Sequence, residues 1–228
     1  KKLWLKKKFV VETRYCLTLD RVPEALYPEI CACDAQWQEW DDLVAIAEIN
    51  PERKPAFLKA NPNLMVDTRH FSRDFTLKLL ASIEDLDANL DGVCFHSENF
   101  QAAQLMQERY RGSVKCIYND PPYNTSEASL LYKNEYRHSS WLTMLQQVLS
   151  SSRLLLNDES VVAVAIDDFE NHNLSKCLDQ VLSPEARLGT LVVEIKPSGR
   201  TTDRFLATSH EFYHFFGLPD SKAEIAFF

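Results

Sequence analysis

Six consecutive apolar residues, Val161-Val162-Ala163-Val164-Ala165-Ile166, run straight into Asp167-Asp168. A run this short, apolar and rich in β-branched side chains reads as a strand buried on both faces, the habit of parallel sheets covered by helices. Other segments take the same form. Val93-Cys94-Phe95-His96, after an Asp91-Gly92 turn, and residues 114–118 predict two earlier strands; residues 190–195 and 211–216 predict two later ones. Helical spacing separates them: Phe75, Leu79, Leu80, Ile83 and Leu86; then Phe100, Ala103, Met106 and Tyr110. Trp141, Leu142, Leu145, Val148 and Leu149 mark a helix running to about residue 156, and Leu174, Cys177, Leu178 and Val181 mark another. Strands alternating with helices predict an α/β fold with a largely parallel sheet covered on both sides, and ligands beyond the C-terminal ends of its strands.

The first 62 residues differ. Trp37, Trp40, Leu43, Val44 and Ala47 recur at helical spacing beside an acidic face, and Pro51, Pro55 and Pro62 break the pattern. The expected organisation is a helical accessory region over 1–62 and the main domain over 63–228.

The chain has 228 residues, 45% of them hydrophobic, enough for one large domain or one domain with a helical appendage. No apolar run reaches the 18 residues or so of a membrane span, and the basic start, Lys1 to Lys8, has no apolar core or cleavage site behind it. The absence of an initial Met points to a start upstream. Cys31-Ala32-Cys33 lacks the second pair or the histidines of a zinc site, and Cys94 and Cys116 fall in apolar runs. Reduced core thiols and a cytoplasmic protein are the expectation. The net charge of −8 argues against a chain that is all DNA-binding surface, since phosphate contacts demand cations; it leaves room for a local basic strip.

Chemistry concentrates where the strand at 114–118 stops, at Asn119-Asp120-Pro121-Pro122-Tyr123-Asn124. The proline rings fix φ, offer no competing N–H, and hold the preceding residue extended, so the Asp120 side chain is held out at a strand end. A carboxylate and a backbone carbonyl accepting the two N–H bonds of an aromatic amine would turn its delocalised lone pair into a nucleophile. This is positioning and electrostatics, with no covalent intermediate. Tyr123 offers a flat face to an extruded base. The bland alternative is an ordinary turn, since Asp-Pro and Pro-Pro pairs are frequent turn formers.

The stretch Lys115 to Thr125 resembles the catalytic motif of β-group amino-methyltransferases, and more narrowly that of the modification subunits of type III restriction systems. Asp67-Thr68-Arg69-His70-Phe71 and His96-Ser97-Glu98-Asn99-Phe100-Gln101-Ala102 precede it as in that family. His138-Ser139-Ser140-Trp141-Leu142, Ile166-Asp167-Asp168-Phe169-Glu170, Lys196-Pro197-Ser198-Gly199-Arg200 and Ser209-His210-Glu211 follow it in the same order. The resemblance covers about residues 64 to 217. It implies a Rossmann-like methyltransferase sheet and methyl transfer from S-adenosyl-L-methionine to adenine N6 in double-stranded DNA, with the adenine flipped out. In that reading Asp120, Pro121, Pro122 and Tyr123 are catalytic. Glu98, Asn99 and Phe100 approach the cofactor's adenosine end, or else form an ordinary helix start. Asn124 and the basic strip of Lys196, Ser198, Arg200 and Arg204 meet DNA, the alternative for the strip being a solvated loop. The setting implied is a restriction or phage-defence system with further subunits, and a dimer is compatible with it.

Two residues depart from the family pattern: Asn119 stands where Ile is usual, and Ser126 where Gly is frequent. More important, the Phe-x-Gly-x-Gly turn that holds the methionine end of the cofactor is not found. The five glycines, at 92, 112, 189, 199 and 217, are all far apart. The sheet is therefore expected to be incomplete and the sequence to be part of a longer protein. The rival reading is a truncated, non-catalytic homologue acting as a DNA-binding or assembly subunit. Cytosine-N4 transfer is disfavoured because that branch more often has Ser before Pro-Pro-Tyr. The acids Asp167, Asp168 and Glu170 at a strand end could line the cleft, but no acidic partner at suitable spacing completes a metal site. Trp141, at helical spacing with Leu145 and Leu149, reads as core, and His96, His138 and His210 as hydrogen-bonding residues.

Overall fold

The computed structural model describes residues 12–46, 52–125, 137–195, 197, 199 and 208–220. Contacts divide the chain into two compact units, residues 1–94 and 95–228.

In the first unit, strand β1 (Cys16–Thr18) precedes the short helices α1 (Tyr27–Cys31), α2 (Asp34–Val44) and α3 (Pro55–Ala60). Strand β2 (Met65–Asp67) then pairs antiparallel with β1, Leu17 opposite Val66, and helix α4 (Arg73–Ala81) follows. Ser72 starts α4 by accepting the Phe75 N–H, one of the donors a first turn leaves unpaired. The core gathers Leu19, Ile30, Trp37, Trp40, Leu58, Val66, Phe75 and Leu79. Both tryptophans bury their rings and still place their indole N–H groups, Trp37 on the Ile30 carbonyl at 3.1 Å and Trp40 on that of Met65 at 2.6 Å. Leu43 and Val44 leave this face and are exposed, because α2 ends there in a left-handed Ala45. Ala47 and Pro51 lie outside the described residues. The boundary expected at residue 62 falls inside this unit, since β2 and α4 close its core. The helix expected to reach Leu86 stops at Ala81.

The second unit opens with helix α5 (Asn99–Tyr110) and strand β3 (Val114–Asn119). Helix α6 (His138–Arg153), strand β4 (Leu156–Ile166), helix α7 (Asn171–Leu182), strand β5 (Arg187–Glu194) and strand β6 (His210–Phe216) follow. The four strands form one sheet in the order β3-β4-β6-β5. Helices α6 and α7 carry the chain from β3 to β4 and from β4 to β5. The β3–β4 pairing is parallel, Asn119 opposite Val164. The β4–β6 and β5–β6 pairings are antiparallel. The expected largely parallel sheet is thus a mixed one. β5 and β6 follow one another without a described helix between them, a connection that permits antiparallel neighbours, and β6 occupies the lane between β4 and β5. The fold is a partial Rossmann-like α/β sheet.

Val162, Val164 and Ile166 of β4 face one core with Trp141, Leu145 and Leu149 of α6 and Leu174, Cys177, Leu178 and Val181 of α7. Ala163 and Ala165, on the opposite face by the pleat, are buried as well, so burial of this strand on both sides stands. The strand expected at residues 93–96 does not form. Among the described residues they pair with no other strand, and Val93 and Phe95 are 51% and 38% exposed. An apolar run becomes a strand only where a neighbour accepts its backbone hydrogen bonds. Cys94 and Cys116, expected in the core, are exposed, whereas Cys177 is buried.

Candidate active site

β3 and β4 run parallel and end together, and the Asp120–Asn124 turn leaves the C-terminal end of β3. Asp120 is exposed at the tip, while Pro121 behind it is buried. The next three residues are each tied to a different element. The Pro122 carbonyl accepts the indole N–H of Trp141, from α6, at 2.7 Å. The Tyr123 hydroxyl donates to Glu211 Oε2, from β6, at 3.1 Å. The Asn124 amide donates to Glu170 Oε1, at the head of α7, at 2.7 Å.

Each tie has a local cause. Trp141 is completely buried in the α6–α7 core and needs a partner for its one polar atom; the carbonyl of a proline, which cannot itself donate, supplies it. Tyr123 is pushed far up from an ordinary phenol pKa, first by burial, then by the negative charges of Glu211 and Asp120. Its hydroxyl therefore stays protonated and acts as the donor to Glu211. Asn124 sits at φ +64°, in the left-handed region where Asn is tolerated better than most side chains, and is only 2% exposed.

Glu170 is the centre of a buried polar cluster. Its carboxylate is 0% exposed, and it accepts from Asn124 at Oε1 and from Asn173 Nδ2 at Oε2, the latter at 2.6 Å. His138 Nδ1 lies 2.7 Å from Oε1, and the ring of Phe169 lies 5.6 Å from that of His138. A buried carboxylate is tolerable only when its lone pairs are filled, as they are here. Asp167 turns instead to its own chain, accepting the Phe169 N–H at 3.1 Å, and Asp168 is exposed. The three acids therefore do not line a cleft together.

Next along β3, Tyr118 stacks on Tyr213 of β6, ring centroids 6.3 Å apart. The hydrogen bond with Tyr213 and partial burial push the Tyr118 phenol up to about 12. His214 of β6 is buried between Thr190 and Asn171, at 2.9 and 2.7 Å, and burial pulls its pKa down, with Arg187 adding to the effect.

A family match agrees with this geometry. Residues 114–223, from β3 through β6, match the DNA methylase family of N6 and N4 enzymes. The chain is 28% identical over 162 residues to the "Probable type III restriction-modification enzyme HindVI Mod subunit" of Haemophilus influenzae, covering 67% of this chain and 22% of that protein. To the type II methyltransferase M.KpnI of Klebsiella pneumoniae it is 24% identical over 155 residues, 64% of this chain and 37% of that one. The chain thus spans well under half the length of these relatives. Among solved structures, the M1.HpyAVI–SAM complex aligns at a TM-score of 0.40 and 14% identity, covering 56% of this chain and 55% of that one.

Of the residues singled out from the sequence, the fold brings Asp120, Pro121, Pro122 and Tyr123 together with Trp141, Glu170, Glu211 and His138. Asn124, expected at the DNA, is turned inward by its left-handed backbone and spends its amide on Glu170. Trp141 is core, yet also grips the motif. Glu98 heads α5 and accepts the Gln101 N–H at 3.1 Å, the capping geometry of a helix start. Asn99 is exposed beside it, and Phe100 is 41% exposed. Lys196, Ser198, Arg200 and Arg204 lie outside the described residues. Sequence reasoning did not single out the Glu170 and Glu211 contacts. The acid-rich strand ends hinted at them, but which acid turns inward depends on neighbours distant in sequence.

Proposed function

We propose that this chain supplies the acceptor-base half of a DNA adenine-N6 methyltransferase of a restriction or phage-defence system. One observation carries the reading: in a turn whose residues 121–124 are buried or bonded inward, Asp120 is the side chain left exposed at the C-terminal end of a parallel strand pair. That is where ligands sit in open α/β sheets.

Asp120 accepts one N–H of the adenine amine, and the Pro121 carbonyl accepts the other. Trp141 occupies the Pro122 carbonyl and keeps that peptide from turning. The paired acceptors draw the amine toward tetrahedral geometry and free its lone pair for attack; no general base is required before transfer, since the proton leaves once the nitrogen has become cationic. The Tyr123 ring, its hydroxyl anchored on Glu211, stacks on the flipped base. Stacking worth about 1–3 kcal/mol offsets much of the few kcal/mol that flipping costs.

S-adenosylmethionine, when bound, supplies an electrophilic methyl on a sulfonium. The residues at the start of α5 suit its adenosine end in donor chemistry: Glu98 is a carboxylate able to accept ribose hydroxyls, and Phe100 is an exposed ring able to meet the adenine. The methionine end would be held by a glycine turn not found in these 228 residues. The names of the relatives support the restriction setting, and Asp rather than Ser before Pro-Pro-Tyr supports adenine.

The test is Asp120→Ala in the whole protein, assayed with radiolabelled S-adenosylmethionine and adenine-containing duplexes. Label transfer should vanish while amide-exchange protection of β4 stays at the parent level. Methylation retained by the variant would remove Asp120 from the mechanism. A parent protein that binds duplex but transfers no label would favour an assembly subunit.

A further inference from the structure

Glu170 is fully buried, belongs to none of the groups that would touch adenine or cofactor, and is nonetheless satisfied by three side chains from three parts of the fold. Asn124 comes from the turn after β3, His138 from the first residue of α6, and Asn173 from the first turn of α7. A carboxylate needed only to start α7 would cap that helix. Glu170 makes no such side-chain bond, although its own carbonyl accepts the Leu174 N–H. Its side chain is directed instead to the one residue of the turn held at positive φ.

A left-handed Asn is a strained conformation, held only when its surroundings over-determine it. Here the over-determining group is a charged acceptor, whose hydrogen bonds are stronger than neutral ones. Asn124 follows Tyr123 directly, so its position sets where the turn ends and thereby how Tyr123 and Asp120 are presented. Resting on the methyltransferase reading above, we propose that Glu170 is a positioning residue for methyl transfer: it locks Asn124, and through it the catalytic turn, against α6 and α7.

The donor pattern provides its own test. Asn124→Asp places two carboxylates 2.7 Å apart and should be the worst single change. Adding Glu170→Gln reverses the polarity of the bond. The Gln amide then donates to the carboxylate introduced at position 124, its carbonyl still accepts from Asn173, and the His138 ring turns acceptor by changing tautomer. The expected kinetics, measured on the whole protein, are a loss in kcat of about 100-fold for Asn124→Asp, the scale of an ångström-sized misplacement. KM for S-adenosylmethionine should change little, and N124D/E170Q should recover about tenfold or more of the loss. Glu170→Ala should lower kcat without rescue.

Hydrogen exchange of the peptide covering residues 119–125 gives a readout independent of activity. It should speed up in Asn124→Asp and Glu170→Ala and slow again in the double variant, while β4 keeps its protection. If the double variant is no better than Asn124→Asp in exchange and in kcat, the lock is refuted. Normal exchange and normal kcat in Glu170→Ala would refute it equally. If the exchange pattern is as stated but no variant and no parent protein transfers methyl groups, the lock stands as architecture, while its catalytic role and the methyltransferase reading both fail.

Discussion

Trp141→Phe separates the two jobs that the structure gives one residue. The phenyl ring keeps most of the apolar contact with Leu145, Leu149 and Leu174 but removes the N–H that meets the Pro122 carbonyl at 2.7 Å. The Pro122 carbonyl is part-buried, and leaving it without its partner costs up to about 1–3 kcal/mol. The smaller ring adds about 1 kcal/mol for the volume left unfilled. The sum, up to about 2–4 kcal/mol, is a large part of the stability of an ordinary domain. Trp141 is the one tryptophan after residue 94, so its own fluorescence cannot follow the variant. Amide exchange of β4 can, because the best-protected central strands report global opening. Leu149→Ala is the control: same helix, same core, no hydrogen-bonding group to offer the turn, and an expected cost of about 2–5 kcal/mol. Both variants should lose β4 protection, but Trp141→Phe alone should also loosen residues 119–125 under conditions where the domain stays folded, and lower kcat for methyl transfer. Equal behaviour of the two variants at 119–125 would show that the indole bond does nothing for the turn beyond filling the core.

Two further expectations concern pH. His214 is held neutral by burial, with a pKa below its ordinary value of 6.5, so the folded state binds fewer protons than the unfolded chain just below that pH. Its contribution is present above about 6.5 and is lost as pH falls toward the folded value. Denaturant titrations of the parent and of His214→Gln between pH 7 and 5 should show a fall in the parent that is shallower in the variant; parallel curves would remove His214 as the cause. Tyr118, with its phenol raised to about 12, should titrate late in ultraviolet difference spectra, and Tyr213→Phe should bring it back toward 10, because the hydrogen bond with Tyr213 is the first cause of the shift. That contribution is complete below pH 10 and declines as pH rises through about 12. An unchanged titration in Tyr213→Phe would disprove the pairing.

Local signals in the sequence were enough for several features. Residues 161–166 declared a doubly buried strand because no polar side chain interrupts them, and the structure buries 162–166 on both faces. The spacing of Trp141, Leu145 and Leu149 marked one face of α6, since a helix repeats its contacts every three to four residues. Asp120-Pro121-Pro122-Tyr123 marked the turn at the end of β3 through proline stereochemistry, a property that travels with the residues themselves, and the structure places that turn there. Other features belonged to the tertiary fold. Residues 93–96 look like a strand, yet a strand needs a partner, and no local pattern reveals whether one exists. The direction of β6 depends on which lane of the sheet it enters, not on its composition. Asn124 and Glu170 are 46 residues apart, and only the parallel crossover through α6 brings their side chains to 2.7 Å. The candidate motif was therefore written in the order of residues, whereas the geometry around it was settled by contacts between segments that the order keeps apart.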